Sequence, residues 1–188
     1  MNTPRERPFV SRAERAQATE AGCLAVRSSS FVSMLVAADA VRSHGLPIAD
    51  YFIWNDDFEF STRLLRHSRG IFVPSSVVVH KTKKLGATDL DPGERFFFEV
   101  RNKVWLFLFS RGLSFGEKLV YGASSVRRWV RTIRGSHQRS VLWVQLRRGL
   151  AAGVRHRPRR NAVVLADLGE TTIEVATLEA VRTATHHG

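Results

Sequence analysis

The spacing of apolar residues changes near Gly93, and this change limits what the chain can fold into. After Gly93, apolar residues recur at helical intervals, which predicts three amphipathic helices separated by short breaks. Before Gly93, short apolar runs alternate with polar stretches, a pattern typical of mixed strands and helices. The sequence therefore predicts an α/β region followed by an all-helical region. The mixed region is too short for a complete nucleotide-binding sheet.

Within the mixed region, turn and capping signals separate the predicted elements. Gly45 is typical of a residue that follows a helix, and Asp56 and Glu59 have the spacing of a capping box. The predicted elements are a strand at Phe31–Val36, a helix at Ala38–His44, an extended segment at Tyr51–Trp54, a helix at Asp56–Ser68 and an extended segment at Ile71–His80.

Charge and cysteine content restrict the partners and the compartment. The 188 residues carry 29 Lys and Arg against 17 Asp and Glu, a net charge of +12, which favours an anionic partner. The lone Cys23 has no partner for an internal disulfide bond, so we expect a small buried thiol in a reducing compartment. Residues 1–22 lack the apolar core of a signal peptide, and the longest apolar run, Val104–Phe109, is far shorter than the roughly 20 residues of a membrane span.

The segment Trp54-Asn55-Asp56-Asp57-Phe58-Glu59 carries the first candidate chemistry. Adjacent carboxylates at the start of a helix are suited to acid–base work, and neighbouring aromatic rings are suited to stacking on a sugar. The alternative is an ordinary helix with an acidic first turn, which spacing alone favours.

Three further features each have a functional and a purely structural interpretation. His80, after three valines, suits a metal or phosphate ligand, or is an ordinary polar residue. Arg101 suits a diphosphate, or belongs to a solvated helix face. The arginines of the two later helices suit an anionic membrane, a nucleic-acid backbone or simple packing with a charged outer face. We interpret Asp89-Leu90-Asp91 as part of a turn and not as a metal-binding motif, because it lies in a loop after the acidic segment and directly before Pro92-Gly93.

The order of these segments resembles the second half of family 2, GT-A type glycosyltransferases, and most of all the actinobacterial galactofuranosyl- and rhamnosyltransferases. The segments that carry the resemblance are Phe31–Val36, Ala40–Pro47, Tyr51–Leu64, Val73–His80 and Phe97–Lys103, within residues 28–150. The resemblance implies an α/β fold with a partial, Rossmann-like GT-A half-sheet on the acceptor side, followed by an all-helical C-terminal appendage.

The resemblance also implies roles for individual residues. Asp57 is the expected general base that takes the proton of the acceptor hydroxyl, and Asp56 orients the acceptor or shares that role. Trp54 borders the acceptor and Glu59 supports its loop. His80 completes a divalent-metal site, with Mn²⁺ or Mg²⁺, that helps to hold the leaving diphosphate, to which Arg101 would also bind. The donor is a nucleotide sugar and the acceptor a cell-wall glycan or lipid-linked glycan.

The resemblance also implies a missing N-terminal half, because the family's nucleotide-binding sheet and Asp-x-Asp metal motif precede this region. We therefore expect little nucleotide-sugar binding and no transfer by this chain alone. The sequence divides into a polar arm at 1–27, the acceptor-side part at 28–92, basic helices at 93–157 and a tail at 158–188. We expect a cytoplasmic protein, peripheral at the inner membrane face, with no nucleic-acid partner.

Two other hypotheses remain open. One is a non-catalytic basic module that binds an anionic membrane or nucleic acid through its arginine helices. The other is a degenerate remnant without a function, whose exposed sheet edges favour aggregation.

Overall fold

A computed structural model describes residues 5–6, 12–79, 81 and 91–185 of the chain. The described part is mostly helical, with three short strands: β1 (Arg5–Glu6), β2 (Leu24–Ser28) and β3 (Ile71–Phe72). The eight α-helices of this part are α1 (Arg12–Glu20), α2 (Ala38–His44), α3 (Asp56–Leu64), α4 (Phe96–Leu108), α5 (Phe115–Gly135), α6 (Arg139–Arg155), α7 (Asn161–Val164) and α8 (Glu170–Thr185). Single 3₁₀ turns lie at Ala49–Tyr51 and Gly93–Arg95.

The strands form a small antiparallel arrangement with β2 in the centre. β2 pairs with β1 on one side and with β3 on the other, where Leu24 lies opposite Phe72 and Ala25 opposite Ile71. The predicted α/β character with a helical C-terminal part is confirmed, although the strands are short and antiparallel.

Helices α4, α5 and α6 enclose the main apolar core. Phe96 and Val100 of α4, Trp129 and Ile133 of α5, and Leu142 of α6 form one buried cluster. Burial of these large side chains removes apolar area from water and so favours the packing of the three helices. All three helices were predicted from their apolar spacing and are confirmed.

Helices α4 and α6 approach closely because two glycines of α6 face α4. A Cβ atom at Gly149 would lie 2.8 Å from Val100 Cβ, and one at Gly153 would lie 2.6 Å from Val104 Cβ. Both distances are shorter than any ordinary carbon–carbon contact, so only glycine fits here without moving a helix.

A buried arginine ties β2 to two other elements. Arg27 donates hydrogen bonds to the carbonyl oxygens of Thr62 in α3 and Gly112 before α5, and to the Glu117 carboxylate. Glu117 also belongs to the capping box of Ser114 at the start of α5. Burial raises the pKa of Glu117, but the hydrogen bonds and charge of Arg27 and the bonds of Ser114 outweigh it, so the pKa lies below its usual value. Arg27 thus joins the sheet, α3 and α5.

Several predicted elements of the mixed region differ from the structure. Phe31–Val36, predicted as a strand, forms turns and bends in which Leu35 is fully exposed; Phe31 packs on Phe60 at a ring distance of 5.7 Å. The predicted extended segment Tyr51–Trp54 is also wrong, because it begins inside a 3₁₀ turn and then bends tightly. Of the extended segment predicted at Ile71–His80, only Ile71–Phe72 pairs as a strand, and His80 lies outside the described residues.

Helix α2 is confirmed, with Gly45 as its cap at a φ of 85°. Helix α3 is confirmed, but it ends at Leu64 rather than Ser68, and it lacks the predicted capping box. Asn55 occupies the cap position without a side-chain bond to the helix, and Glu59 pairs with Arg63 instead. Cys23 is buried, as predicted.

The segment after Pro158 contains α7 and α8 and contacts the mixed region. Asn161 accepts a hydrogen bond from the Ala49 N–H at 2.8 Å and donates to the Pro47 carbonyl at 2.8 Å. Arg159 pairs with Asp50 at 2.7 Å. Burial raises the pKa of Asp50, but the hydrogen bonds and charge of Arg159 outweigh it, so the pKa lies below its usual value. Across the described ranges, none of the helices combines the length and the apolarity needed to span a membrane.

The glycine contacts of α6 yield a stability prediction. We expect Gly153→Ala to lower the free energy of unfolding by about 1–3 kcal/mol, because the new methyl group overlaps Val104 and forces the helices apart. Gly122→Ala is the matched control, since its Cβ would meet no atom within 4 Å and the helix gains roughly 0.5–1 kcal/mol from alanine. Urea denaturation followed by circular dichroism measures both. Equal effects of the two substitutions would contradict the close packing.

Candidate functional site

The loop between the 3₁₀ turn and α3 has an unusual backbone. Phe52 adopts a φ of 65° and a ψ of −63°, and the Ile53 N–H donates to the Tyr51 carbonyl at 2.8 Å. Together these define a γ-turn with a positive φ, a rare and strained conformation for a residue with a side chain. Trp54 and Asn55 follow with φ values of 61° and 65°. The described residues contain no other non-glycine residue with a positive φ.

Such a backbone costs on the order of 1–3 kcal/mol for each strained residue, so other contacts must hold it in place. The strongest of these comes from Asn102 of α4, which is fully buried. Its side-chain nitrogen lies 2.8 Å from the Tyr51 carbonyl oxygen, 2.7 Å from that of Ile53 and 2.8 Å from that of Trp54. The two N–H groups of one amide are therefore shared among three carbonyl oxygens of the strained loop.

Arg101, next to Asn102 on α4, holds the start of the same loop. Its guanidinium donates to the carbonyl oxygens of Asp50 and Tyr51 at 2.8 Å and 3.3 Å. The guanidinium carbon also lies 4.1 Å from the centre of the Trp105 ring, a cation–π contact. Burial lowers the pKa of Arg101, and the nearby Asp50 partly opposes that shift. In this structure Arg101 supports the loop, and its binding to a diphosphate stays a prediction.

A third contact holds the last residue of the loop. The buried Asn55 amide donates to Glu99 Oε2 at 2.9 Å, and the Arg128 guanidinium of α5 donates to Glu99 Oε1 at 2.9 Å. Because Glu99 is buried, the charge and hydrogen bonds of these partners offset the loss of water around its carboxylate. The sequence Glu99-Val100-Arg101-Asn102 therefore places three loop-holding side chains on α4.

The strained loop leads directly into the two candidate acids. Asp57 is buried, and its Oδ1 accepts the Phe58 N–H at 2.7 Å. Asp56 is half-buried, and its pKa is raised by burial and by the negative charge of Asp57. A carboxylate with a raised pKa is a stronger proton acceptor, which suits Asp56 to acid–base chemistry.

Glu59 lies on α3 but makes internal contacts. It is almost fully buried, pairs with Arg63 at 2.9 Å and accepts a hydrogen bond from the Ser110 hydroxyl at 2.9 Å. Arg63 in turn donates to the carbonyl oxygens of His44, Gly45 and Leu46. Glu59 thus anchors the chain that follows α2, and its role toward an acceptor stays a prediction.

The predicted metal ligand, His80, lies outside the described residues. Within those residues, no group of three or more His, Cys, Asp or Glu side chains is close enough to hold a metal ion. Mg²⁺ keeps several waters and is usually bound through one or two carboxylates together with substrate phosphates, so the metal-binding role of His80 stays a prediction. No catalytic step is therefore assigned to a metal ion here.

The structure also contains a cleft of about 950 Å³ between α2, α3 and the C-terminal segment. Glu59 and Arg63 line it, whereas Asp56, Asp57 and Trp54 do not. Arg63, Arg159 and Arg160, which also border the cleft, are each paired with a carboxylate. The candidate acids therefore face a different part of the surface.

The sequence predicted the acids but missed the residues that position them. Asn102, Asn55 and Glu99 read as ordinary polar positions on or near a helix. A signal was present for Asn102, since Trp105 and Leu106 follow it by three and four residues and place it beside apolar side chains of α4. A polar side chain there needs partners, because an unpaired buried amide is costly.

Comparison with known proteins returned no relative: no family model, no curated protein and no solved structure matches this chain.

The role of the Asn102 hydrogen bonds in holding the loop can be tested directly. We expect Asn102→Ala to lower the free energy of unfolding by about 1–3 kcal/mol, because the buried carbonyls lose their donor. Helix propensity favours alanine, so any loss comes from the missing hydrogen bonds. Ser125→Ala is the control, since the buried Ser125 hydroxyl bonds only within its own helix. Equal stability of Asn102→Ala and the wild-type chain in urea would contradict the role of Asn102.

Proposed function

We propose that this chain is the acceptor side of an inverting, nucleotide-sugar-dependent glycosyltransferase that extends a cell-wall glycan or lipid-linked glycan. The observation that carries the proposal is the strained loop ahead of Asp56 and Asp57, held by buried polar side chains of α4. Strain of this kind concentrates at functional sites, where a fixed geometry is worth its cost in stability. The order of the sequence segments, which resembles that of family 2 glycosyltransferases, is a second support for the proposal.

In the proposed reaction, a carboxylate of the pair takes the proton of an acceptor hydroxyl as its oxygen attacks the anomeric carbon of the donor sugar. Asp57 is the base that the resemblance implies, and Asp56 orients the hydroxyl or shares the proton. The nucleoside diphosphate leaves from the opposite face, so the configuration at the anomeric carbon inverts. The GT-A fold and the missing nucleotide-binding half belong to this proposal, which assigns the donor site to another segment or partner chain.

Asp57→Asn tests the proposed base. The assay follows transfer of a labelled sugar from a nucleotide sugar to an oligosaccharide, with the chain joined to the polypeptide encoded directly upstream and Mn²⁺ present. We expect Asp57→Asn to lower kcat about 100- to 10,000-fold, the usual contribution of a general base.

Two controls make this result specific. Asp39→Asn removes an acid whose side chain is 93% exposed on α2, and it should leave kcat unchanged. Circular dichroism should show that both variants keep the wild-type fold. Equal kcat for Asp57→Asn and the wild-type enzyme would rule out Asp57 as the base. Micromolar binding of UDP- or dTDP-sugars by the chain alone would rule out a donor site supplied from elsewhere.

One specific observation favours a second function, binding to an anionic membrane surface. Apolar side chains of α5 lie along one face at helical spacing and are exposed: Phe115 by 78%, Leu119 by 59%, Val126 by 53% and Val130 by 41%. The same helix carries exposed arginines, including Arg127 and Arg134. An exposed apolar stripe with neighbouring cations suits the interface of an anionic bilayer. This surface serves either a membrane-bound transferase or a non-catalytic basic module.

Vesicle binding distinguishes a contribution of this apolar stripe to membrane binding from attraction by net charge alone. We expect Leu119→Asp to weaken binding to vesicles of 30% phosphatidylserine by about tenfold or more, since it places a carboxylate in the interface. Val163→Asp, on α7, is the matched control, because Val163 is similarly exposed at 57%. Equal losses for both variants, measured by sedimentation at about 0.15 M salt, would mean that net charge drives the binding.

A further inference from the structure

The exposed ring of Phe52 has no explanation in the folding of the chain. Its side chain is 69% exposed, although its residue adopts the strained γ-turn. Exposure of an aromatic ring and a positive φ both disfavour the folded state. A folding role would instead predict a buried ring or a glycine at this position.

Aromatic rings of α4 pack against the Phe52 ring. The Phe52 ring lies 5.3 Å from that of the half-buried Phe98, which packs edge-to-face on Phe97 at 5.2 Å. The Arg101 guanidinium carbon lies 5.1 Å from the centre of the Phe98 ring, and Arg101 also holds the loop carbonyls. The supported ring is therefore fixed in position by the same helix, α4, that fixes the backbone.

The surroundings of the ring indicate the chemistry of its ligand. Asp56 follows Phe52 by four residues, so their Cα atoms lie at most about 14 Å apart. Carboxylates accept hydrogen bonds from hydroxyl groups and repel phosphates. The nearby Arg101 guanidinium, which would attract a phosphate, already donates to the loop carbonyls. Both observations favour a neutral ligand with hydroxyl groups beside the ring. A neutral sugar has both an apolar ring face for stacking and hydroxyls for the carboxylates.

We propose that Phe52, backed by Phe98, is a stacking platform for a sugar ring of a neutral glycan that reaches toward Asp56 and Asp57. This inference rests on the proposed function, because the glycan is the acceptor of the transferase. The stacked ring is a neighbouring unit of the acceptor, so that the platform sets which hydroxyl meets the acid pair. The platform therefore contributes to acceptor binding and to the choice of linkage, and not to proton transfer.

The test measures glycan binding directly and needs no donor. Neutral tetrasaccharides of hexopyranose and hexofuranose units are titrated into the full chain, and binding is followed by nuclear magnetic resonance. Phe52→Asn removes the ring and keeps a residue that tolerates a positive φ. We expect Phe52→Asn and Phe98→Ala to weaken binding of the best tetrasaccharide about tenfold, and Phe52→Trp to keep it within about threefold. Val163→Ala, at an exposed position on α7, is the control and should bind like the wild-type chain.

A stability measurement separates a binding role from a structural one. We expect Phe52→Asn to unfold at about the same temperature as the wild-type chain, because the ring that it removes is largely exposed and buries little apolar area. A large loss of stability would identify the ring as structural and overturn the proposal. So would wild-type glycan affinity in Phe52→Asn, or the absence of binding by every tetrasaccharide. If the wild-type chain binds no glycan and Phe52→Asn loses vesicle binding, the ring belongs to a lipid-binding surface instead.

The two proposals fail in different experiments. If Phe52→Asn loses glycan binding while Asp57→Asn keeps full transfer, the stacking platform is supported and the assignment of Asp57 as the base is wrong. If Asp57→Asn loses transfer while Phe52→Asn binds glycans normally, the proposed transferase function is supported and the stacking platform is wrong.

Discussion

The hydrogen bonds from Asn102 to the strained loop are the interaction on which the candidate site depends. A single buried amide bonds to the carbonyl oxygens of Tyr51, Ile53 and Trp54. Its neighbours on α4 hold the residues on either side of that stretch. Without these donors, the carbonyls would turn toward water and the loop would relax into an ordinary backbone conformation. The helical part of the chain is therefore a scaffold for the mixed part and not a separate appendage, because α4 holds the residues that lead into α3.

The elements that the sequence predicted well are those with local causes. Helices α4, α5 and α6 follow from apolar residues at helical spacing, and α2 ends at Gly45 because glycine adopts the required positive φ. The strand predicted at Phe31–Val36 failed because an apolar run alone does not provide a pairing partner. The described structure leaves Val32 and Leu35 exposed and gives this stretch no strand to pair with.

The parts of the site that escaped prediction depend on contacts distant along the chain. The segment Tyr51–Trp54 was predicted to be extended, because aromatic residues favour strands and neither Phe52 nor Trp54 is a residue type that favours a positive φ. Its shape is imposed by Asn102, Arg101 and Glu99, about fifty residues later. Similarly, Arg27 lies within the stretch 1–27 that was predicted as a polar arm, although it is buried and joins β2 to α3 and to the start of α5. Asp56 and Asp57 were found because both acids lie in one local segment.

The distance in sequence between the loop and its holder has a consequence for synthesis in the cell. Asn102 lies 51 residues after Tyr51, so a ribosome needs roughly 3–10 s to add it after the loop has been made. During that interval the loop lacks its donors, and the acids at the start of α3 have no fixed orientation. The nascent chain therefore completes the site only when α4 has left the exit tunnel. A protein shortened before Asn102 would retain both acids without the geometry that makes them a site.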